Sequence, residues 1–431
     1  MLNINSYSKR DADSIWHPFT QHFNTPEFPV IIKAKDHFLY LENNQTLIDG
    51  ISSWWVNLHG HSHPAIIAKI SETMNELQQV MFAGFTHPYA VQLSERILGL
   101  FHDNFDKVFF SDNGSTSVEV ALKMCAQYWS NQDQPQRKKI ICFENSYHGD
   151  TFGAMSVNQR GIFNEPFWPF LFEVHPISPN NPQELNKLIE CYPNQIAGMI
   201  YEPLIQGAGG MLLQDKTKLE LILETAKKEK ILLIADEVMT GFGRTGKLFA
   251  THHLKTQPDI ICLSKGLTGG FLPLGLTLST KVIYEGFLSG DKRKTLFHGH
   301  SFTGNALSCS AALASLDLLL DSKCQNQIQN ISDQHLNFSH FLIELQKKNS
   351  QLIKEIRQLG TILVIEFNDD EQAGYLNQIS VQMKEFFFKR GILLRPLGNV
   401  LYVLPPLCID KSALNLIYQA IEEFINHLRK K

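Results

Sequence analysis

The sequence predicts an α/β protein, with a mostly parallel central sheet in a large lobe and a smaller α+β lobe after it. Three observations predict this. Short apolar runs at 108–110, 140–143, 198–201, 231–235 and 260–263 read as strands, the last two as buried ones. Helical spans lie between them, as parallel crossovers require. Past about residue 320 the alternation gives way to long amphipathic helical stretches and differently spaced strands.

On this reading the chain divides into an arm of residues 1–60, a large lobe of 61–320 and a C-terminal lobe of 321–431. The arm is rich in loops, with a hairpin between segments 38–40 and 47–50. Adjacent Trp54 and Trp55 follow. Neighbours on a strand point to opposite faces, so one indole is aimed away from the core, into a pocket or an interface. A helix covers 64–81. The strand at 108–110 passes through Ser111-Asp-Asn-Gly114-Ser115-Thr116 into a helix ending at Trp129. A helix over 217–230 feeds the strand at 231. In the last lobe a helical region runs to Gln358. A strand covers 361–367, a helix 380–390, and further extended segments 392–396 and 400–405. Asp410 caps a final helix running to Lys431.

With 431 residues, 43% of them hydrophobic, the chain has ample material for a large core. A net charge of −4 offers no basic face, which argues against nucleic acid as a partner. No apolar run approaches the ~20 residues that span a bilayer, so no membrane partner is expected. The start, Met1-Leu-Asn-Ile-Asn-Ser6, lacks a signal-peptide core. Seven cysteines without Cys-x-x-Cys spacing read as reduced core residues of a cytoplasmic protein. Seventeen histidines include no His-Glu-x-x-His, and no metal is expected.

The chemistry concentrates at two strand ends. The run beginning at Ile231 closes on Asp236 and Glu237, and the strand 260–263 is followed by Ser264-Lys265-Gly266. Parallel sheets bind ligands at the carboxyl ends of their strands. A buried carboxylate is costly there unless a cation meets it. An anionic Asp236 and an amine at Lys265 suit a cofactor with a cationic ring nitrogen and an aldehyde, namely pyridoxal 5'-phosphate. Gly114 and Ser115, at a helix start, make a cup for phosphate. Tyr147, in Tyr147-His148-Gly149-Asp150-Thr151, provides an aromatic to stack on a flat ring. Arg395 suits a carboxylate clamp. The rival is a nicotinamide-dependent oxidoreductase, raised by Gly241-Phe-Gly243-Arg-Thr-Gly246. That match is imperfect, because five residues separate its first glycine from the strand and no helix opens at its end.

These stretches carry a resemblance over nearly the whole length. Ile234-Ala-Asp236-Glu-Val238, Thr240-Gly-Phe-Gly-Arg-Thr-Gly246 and Ser264-Lys265-Gly266 are similar to the fold-type I pyridoxal-phosphate aminotransferases, in the class III group that acts on ω-amino groups. Trp16-His-Pro-Phe-Thr20, Ser52-Ser-Trp54-Trp55, Tyr147–Ser156 and Gln206-Gly-Ala208-Gly-Gly210 resemble its biotin-pathway branch. Relatives acting on ornithine or aminobutyrate commonly carry glutamate where Ala208 stands. The resemblance implies a small lobe built from both termini and a homodimer with shared active sites. It implies a Schiff base on Lys265, a pyridinium contact from Asp236, and Tyr147 near the ring. Gly114 and Ser115 would hold the phosphate, with His300 and Ser301 reaching it from the partner subunit. Trp54, Tyr147, Gly299, Arg395, Tyr402 and Phe19 would contact substrate. The implied substrates are 8-amino-7-oxononanoate and S-adenosyl-L-methionine, lysine replacing the latter in some relatives. Two positions depart from the pattern. Phe19 stands where tyrosine is frequent, and His300-Ser301 replaces a commoner proline and threonine.

Overall fold

A computed structural model of the chain describes residues 7–23, 27–102, 104–348, 350–368 and 378–429. Its centre is a seven-stranded sheet. In spatial order the strands are Lys107–Ser111, Gly275–Ser279, Ile260–Leu263, Leu232–Asp236, Ile196–Tyr201, Lys139–Phe143 and Val174–Ile177. All run in one direction except Gly275–Ser279, which is antiparallel to both neighbours. The predicted strands are therefore present, and Asp236 lies beside Cys262 in the parallel register of the two central strands.

The central strands Ile196–Tyr201, Leu232–Asp236 and Ile260–Leu263 are buried along their whole length because both faces are covered. The helix Gly114–Asn131 lays Val118, Ala121, Leu122, Cys125 and Trp129 on one face, against Ile140, Ile200, Ile234 and Ile260. Burying each such Ile or Leu stabilises the fold by roughly 1.5–3 kcal/mol. Asn113 caps that helix. Its side chain accepts the Thr116 N–H, and the Thr116 hydroxyl accepts the Asn113 N–H.

Two smaller sheets flank the centre. Ile31–Lys35, Phe38–Leu41 and Thr46–Asp49 form an antiparallel meander, and Ile392–Leu393 joins it parallel to Thr46–Asp49. The other sheet is antiparallel: Ile353–Leu359, Ile362–Phe367, Val400–Val403. Here the structure corrects the predicted helical region to Gln358. The helix Ser322–Lys348 ends earlier, and the Lys354-Glu-Ile-Arg357 segment is a strand. Its charges mimic an amphipathic helix, but Arg357 turns inward to Glu366 on the neighbouring strand. Gly360 makes the tight turn between the two strands at φ 55°, where a Cβ would fall 2.2 Å from the Thr245 carbonyl carbon. The helix predicted over 64–81 likewise stops at Glu76, because Leu77 is extended. The final helix spans Lys411–Leu428 with Asp410 as its cap, and residues 430–431 of the prediction lie outside the described residues.

Arg244 joins the central and flanking parts. Fully buried, it donates to the carbonyls of Pro405 (2.9 Å), Trp55 (3.3 Å) and Asn57 (3.4 Å). Its own carbonyl accepts the Thr361 N–H at 2.9 Å. Among the described residues no helix is long and apolar enough to cross a membrane.

Candidate active site

A cavity of about 680 Å³ opens at the carboxyl ends of the central strands. Asp236, Lys265, Tyr147, Gly114 and Ser115 all line it, brought there from separate loops. The helix start, the tyrosine loop and the two strand ends thus converge on one volume.

Lys265 is largely buried, with a small part of its surface open. Burial lowers its amine pKa from 10.5 to about 8; the charges of Asp236 and Glu202 hold it up, and Arg244 adds to the depression. Its Nζ lies 4.5 Å from the centroid of the Trp55 ring, within cation–π range. The residue adopts φ 46°, in the left-handed region that a lysine rarely visits. Such conformations collect at functional sites, where the surroundings hold them in place.

Asp236 accepts the Val238 N–H at 3.0 Å through one oxygen. The other lies 2.7 Å from His148 Nδ1, with both residues buried. An imidazole thus fixes the plane of the carboxylate. The Tyr147 hydroxyl donates to Asp150 at 2.8 Å, and burial raises its pKa above the usual phenol range. The phosphate cup is built by close approach. A Cβ on Gly114 would fall 2.7 Å from Val238 Cγ1, and one on Gly149 (φ +136°) 2.1 Å from the Ser115 hydroxyl oxygen. Ser115 Oγ in turn accepts the Asp150 N–H at 3.1 Å.

The remaining predicted residues lie elsewhere. Trp55, not Trp54, faces the cavity, and its Nε1 donates to the Tyr402 hydroxyl at 3.1 Å. The reason is backbone geometry. Ser52, Ser53, Trp54 and Trp55 all have positive φ, so they form one left-handed turn and strand alternation does not apply. That turn costs about 1–2 kcal/mol per residue. Asp49 holds it by accepting the N–H groups of Ile51 and Ser53 and the Ser53 hydroxyl. Trp54 is half-exposed beside the cavity wall. The Arg395 guanidinium lies 4.1 Å over its ring, and Phe19 meets it edge-on at 5.6 Å. These three form a cluster of their own. Tyr402 is buried behind Trp55. Gly299, His300 and Ser301 lie outside this cavity, with Ser301 exposed and its carbonyl accepting from Gln79.

Sequence reasoning assigned no role to Trp55, Glu202, His148 or the 270–274 segment, all of which line the cavity. Glu202 had a readable signal. It follows a fully buried strand, just as Asp236 ends one. The glycine triplet is structural: residues 241–245 make buried turns that end at exposed Gly246, and Gly243 packs where a Cβ would meet Ile328 at 2.6 Å. The nicotinamide reading falls with it.

A buried amine and a buried carboxylate at neighbouring strand ends, with a helix N-terminus across from them, match the donor set of pyridoxal phosphate. Fold and site together define a fold-type I enzyme using that cofactor. The comparisons with known proteins then place it more closely. The description "Aminotransferase class-III" matches residues 20–425. The chain is 44% identical to the adenosylmethionine-8-amino-7-oxononanoate aminotransferase of Synechococcus elongatus, over 96% of this chain and 99% of that one. It is 34% identical to the protein of that name from Helicobacter pylori, over 97% and 98%. The solved structure of the Methanocaldococcus jannaschii enzyme of the same name superposes with a TM-score of 0.89 at 33% identity, covering 97% of this chain and 98% of that one. A pyridoxal-phosphate-bound amine transaminase from an uncultivated Pseudomonas gives 0.88 at 29% identity, covering 95% and 97%. The chain belongs to the class III aminotransferase family.

Proposed function

We propose that this protein aminates 8-amino-7-oxononanoate to 7,8-diaminononanoate, a step of biotin synthesis, with S-adenosyl-L-methionine as the amino donor. The observation that carries the reading is full-length similarity to enzymes of that name, up to 44% identity, combined with Ala208 in the cavity wall. A glutamate at that position would bring a third carboxylate towards Asp236 and Glu202. Alanine leaves an apolar wall beside Trp55.

When bound, pyridoxal phosphate supplies an aldehyde for amines and a cationic ring that accepts the electron pair left by a departing proton. The chain's own residues do the rest. Asp236 keeps the ring nitrogen protonated, and His148 keeps Asp236 in plane. The N–H groups of Gly114 and Ser115 hold the phosphate at the positive end of their helix. Tyr147 covers one face of the ring. Lys265 Nζ is the amine that would bind the aldehyde. As a free amine it would take the proton from the donor's carbon, and in the second half-reaction it would deliver a proton to the acceptor's carbon. That requires a neutral amine, and burial makes one accessible near pH 8. One cavity serves donor and acceptor in turn, which predicts ping-pong kinetics. Trp54, Arg395 and Phe19 are proposed to receive substrate, and Tyr402, buried behind Trp55, to act by holding that indole.

We also propose a cytoplasmic homodimer in which Gly299, His300 and Ser301 complete the partner's site. Around Ser301 the surface is apolar: Phe297, Phe302, Met81 and Phe85 are 75%, 65%, 63% and 63% exposed. Such a patch favours burial against a second copy. The test is turnover by the purified protein loaded with pyridoxal phosphate and given 8-amino-7-oxononanoate, with S-adenosyl-L-methionine or lysine as donor. Diaminononanoate should form. Turnover with other ω-amino or keto acids alone would make it another class III aminotransferase.

A further inference from the structure

Glu202 follows the strand Ile196–Tyr201, only 5% exposed and in the wall of the cavity. Its two oxygens bind different loops. One accepts the Tyr147 N–H at 3.2 Å and the other the Gly207 N–H at 2.8 Å. The first loop carries the stacking tyrosine and His148. The second carries Ala208. A Gln206–Glu144 contact at 2.7 Å runs alongside. No part of the mechanism above uses this carboxylate.

We propose that Glu202 is a positioning residue: its carboxylate ties the Tyr147 loop to the Gly207 loop, and its negative charge, second to that of Asp236, helps Lys265 Nζ keep its proton. The groups facing it are His148 from the tyrosine loop, Asp236 from one central strand and Lys265 from the next. Burial raises its pKa to about 7; the Asp236 charge adds to that, while His148 and the two N–H donors oppose it. The tie is therefore charged, and strong, above neutrality. It weakens as pH falls through 7, when the carboxyl gains a proton and one oxygen becomes a poorer acceptor. Glutamine accepts through one oxygen only and turns its NH₂ against the other N–H, so Glu202→Gln breaks one loop contact and removes the charge. Aspartate keeps the charge but is a methylene too short to reach both loops.

The proposal rests on the aminotransferase reading for its kinetic arm only. The first measurement uses apoprotein: the rate of Lys265 acetylation against pH, read by peptide mass spectrometry. The wild-type midpoint should fall near 8. In Glu202→Gln it should drop by roughly half a unit to one unit, because a nearby anion that favoured the ammonium is gone. In Glu202→Asp it should stay near the wild-type value. The second measurement is kcat and KM of the holoenzyme from pH 5.5 to 9 (a range chosen to bracket ~7). The wild type should show an acid limb near 7. Glu202→Gln should lose that limb, with kcat at pH 8 down about tenfold and KM little changed. Glu202→Asp should retain the limb. A Glu202→Gln protein with the wild-type Lys265 midpoint and an unaltered acid limb overturns the proposal, whatever its melting temperature. Wild-type protein without transamination would overturn the functional reading instead, and the acetylation curves would still decide the role of Glu202.

Discussion

Replacing Asp236 by asparagine should push two properties of the site in opposite directions. Asparagine preserves the local bonds, since its oxygen still accepts the Val238 N–H and its NH₂ faces His148 Nδ1 across the same short gap. What disappears is the charge. Lys265 already sits at about 8 against an ordinary 10.5, a bias of about 3 kcal/mol towards the neutral amine. At pH 7 that leaves roughly one amine in ten uncharged, against about one in three thousand for an exposed lysine. Asp236 is the largest influence resisting the shift, so its neutralisation moves the amine further down. Apoprotein Lys265 should therefore acetylate faster at pH 7 in Asp236→Asn than in wild type. Turnover should go the other way. A unit charge about 4 Å from an opposite charge, in an effective dielectric of 20, contributes about 4 kcal/mol, or close to a thousandfold in rate. Cofactor should stay bound, visible by its absorbance, while kcat falls about 10²–10⁴-fold. A variant whose Lys265 labels more slowly, or whose kcat lies within threefold of wild type, would refute the electrostatic account of the site.

Lys265→Ala should abolish both turnover and borohydride fixation of the cofactor to the chain; residual full transamination would remove Lys265 from the mechanism. Gly149→Ala should weaken cofactor binding at least about tenfold by dissociation titration, since its Cβ cannot share space with the Ser115 hydroxyl and φ +136° disfavours alanine. Arg244→Met should lower stability in urea by about 3–5 kcal/mol by leaving buried carbonyls unpaired; an unchanged midpoint would show the clamp to be dispensable. Acid should destabilise the fold. His59 and His335 are buried and held neutral down to about 3, whereas unfolded histidines protonate near 6.5. Glu202 opposes them, binding its proton in the folded state near 7 while the unfolded carboxyl waits for 4.5. Between pH 6 and 5 the unfolded state thus holds about two protons on these three groups and the native state about one. Stability should fall by about 1.4 kcal/mol per pH unit, checked by urea unfolding at several pH values; a rise in stability over that range would contradict the burial of these groups.

By itself the sequence determined the central sheet and the chemistry at its edge. The runs at 231–235 and 260–263, too uniformly hydrophobic to be half-exposed, had to be buried on both faces, and three further apolar runs completed the alternation with helices. Asp236 and Lys265 stood just past two of those runs, and strand direction alone carries such residues to one side. Gly114 and Ser115 were legible for the same local reason, as a helix start following a strand.

Tertiary structure decided what depended on which polar groups meet. Whether Trp54 or Trp55 faces Lys265 turned on four left-handed residues held by Asp49, a conformation that residue identity does not announce. Residues 353–359 looked helical because their inward arginine is charged, and Glu366 on the next strand, Glu355 and the Gly210 carbonyl together make that burial tolerable. Glu202 became a site residue only when the Tyr147 and Gly207 loops met on its two oxygens. Strand periodicity is written in the residue pattern, whereas the cost of burying a charge or a strained turn is met by a partner that the pattern does not mark, whether it lies two to four residues away, as Asp49 does, or 55, as Tyr147 does from Glu202.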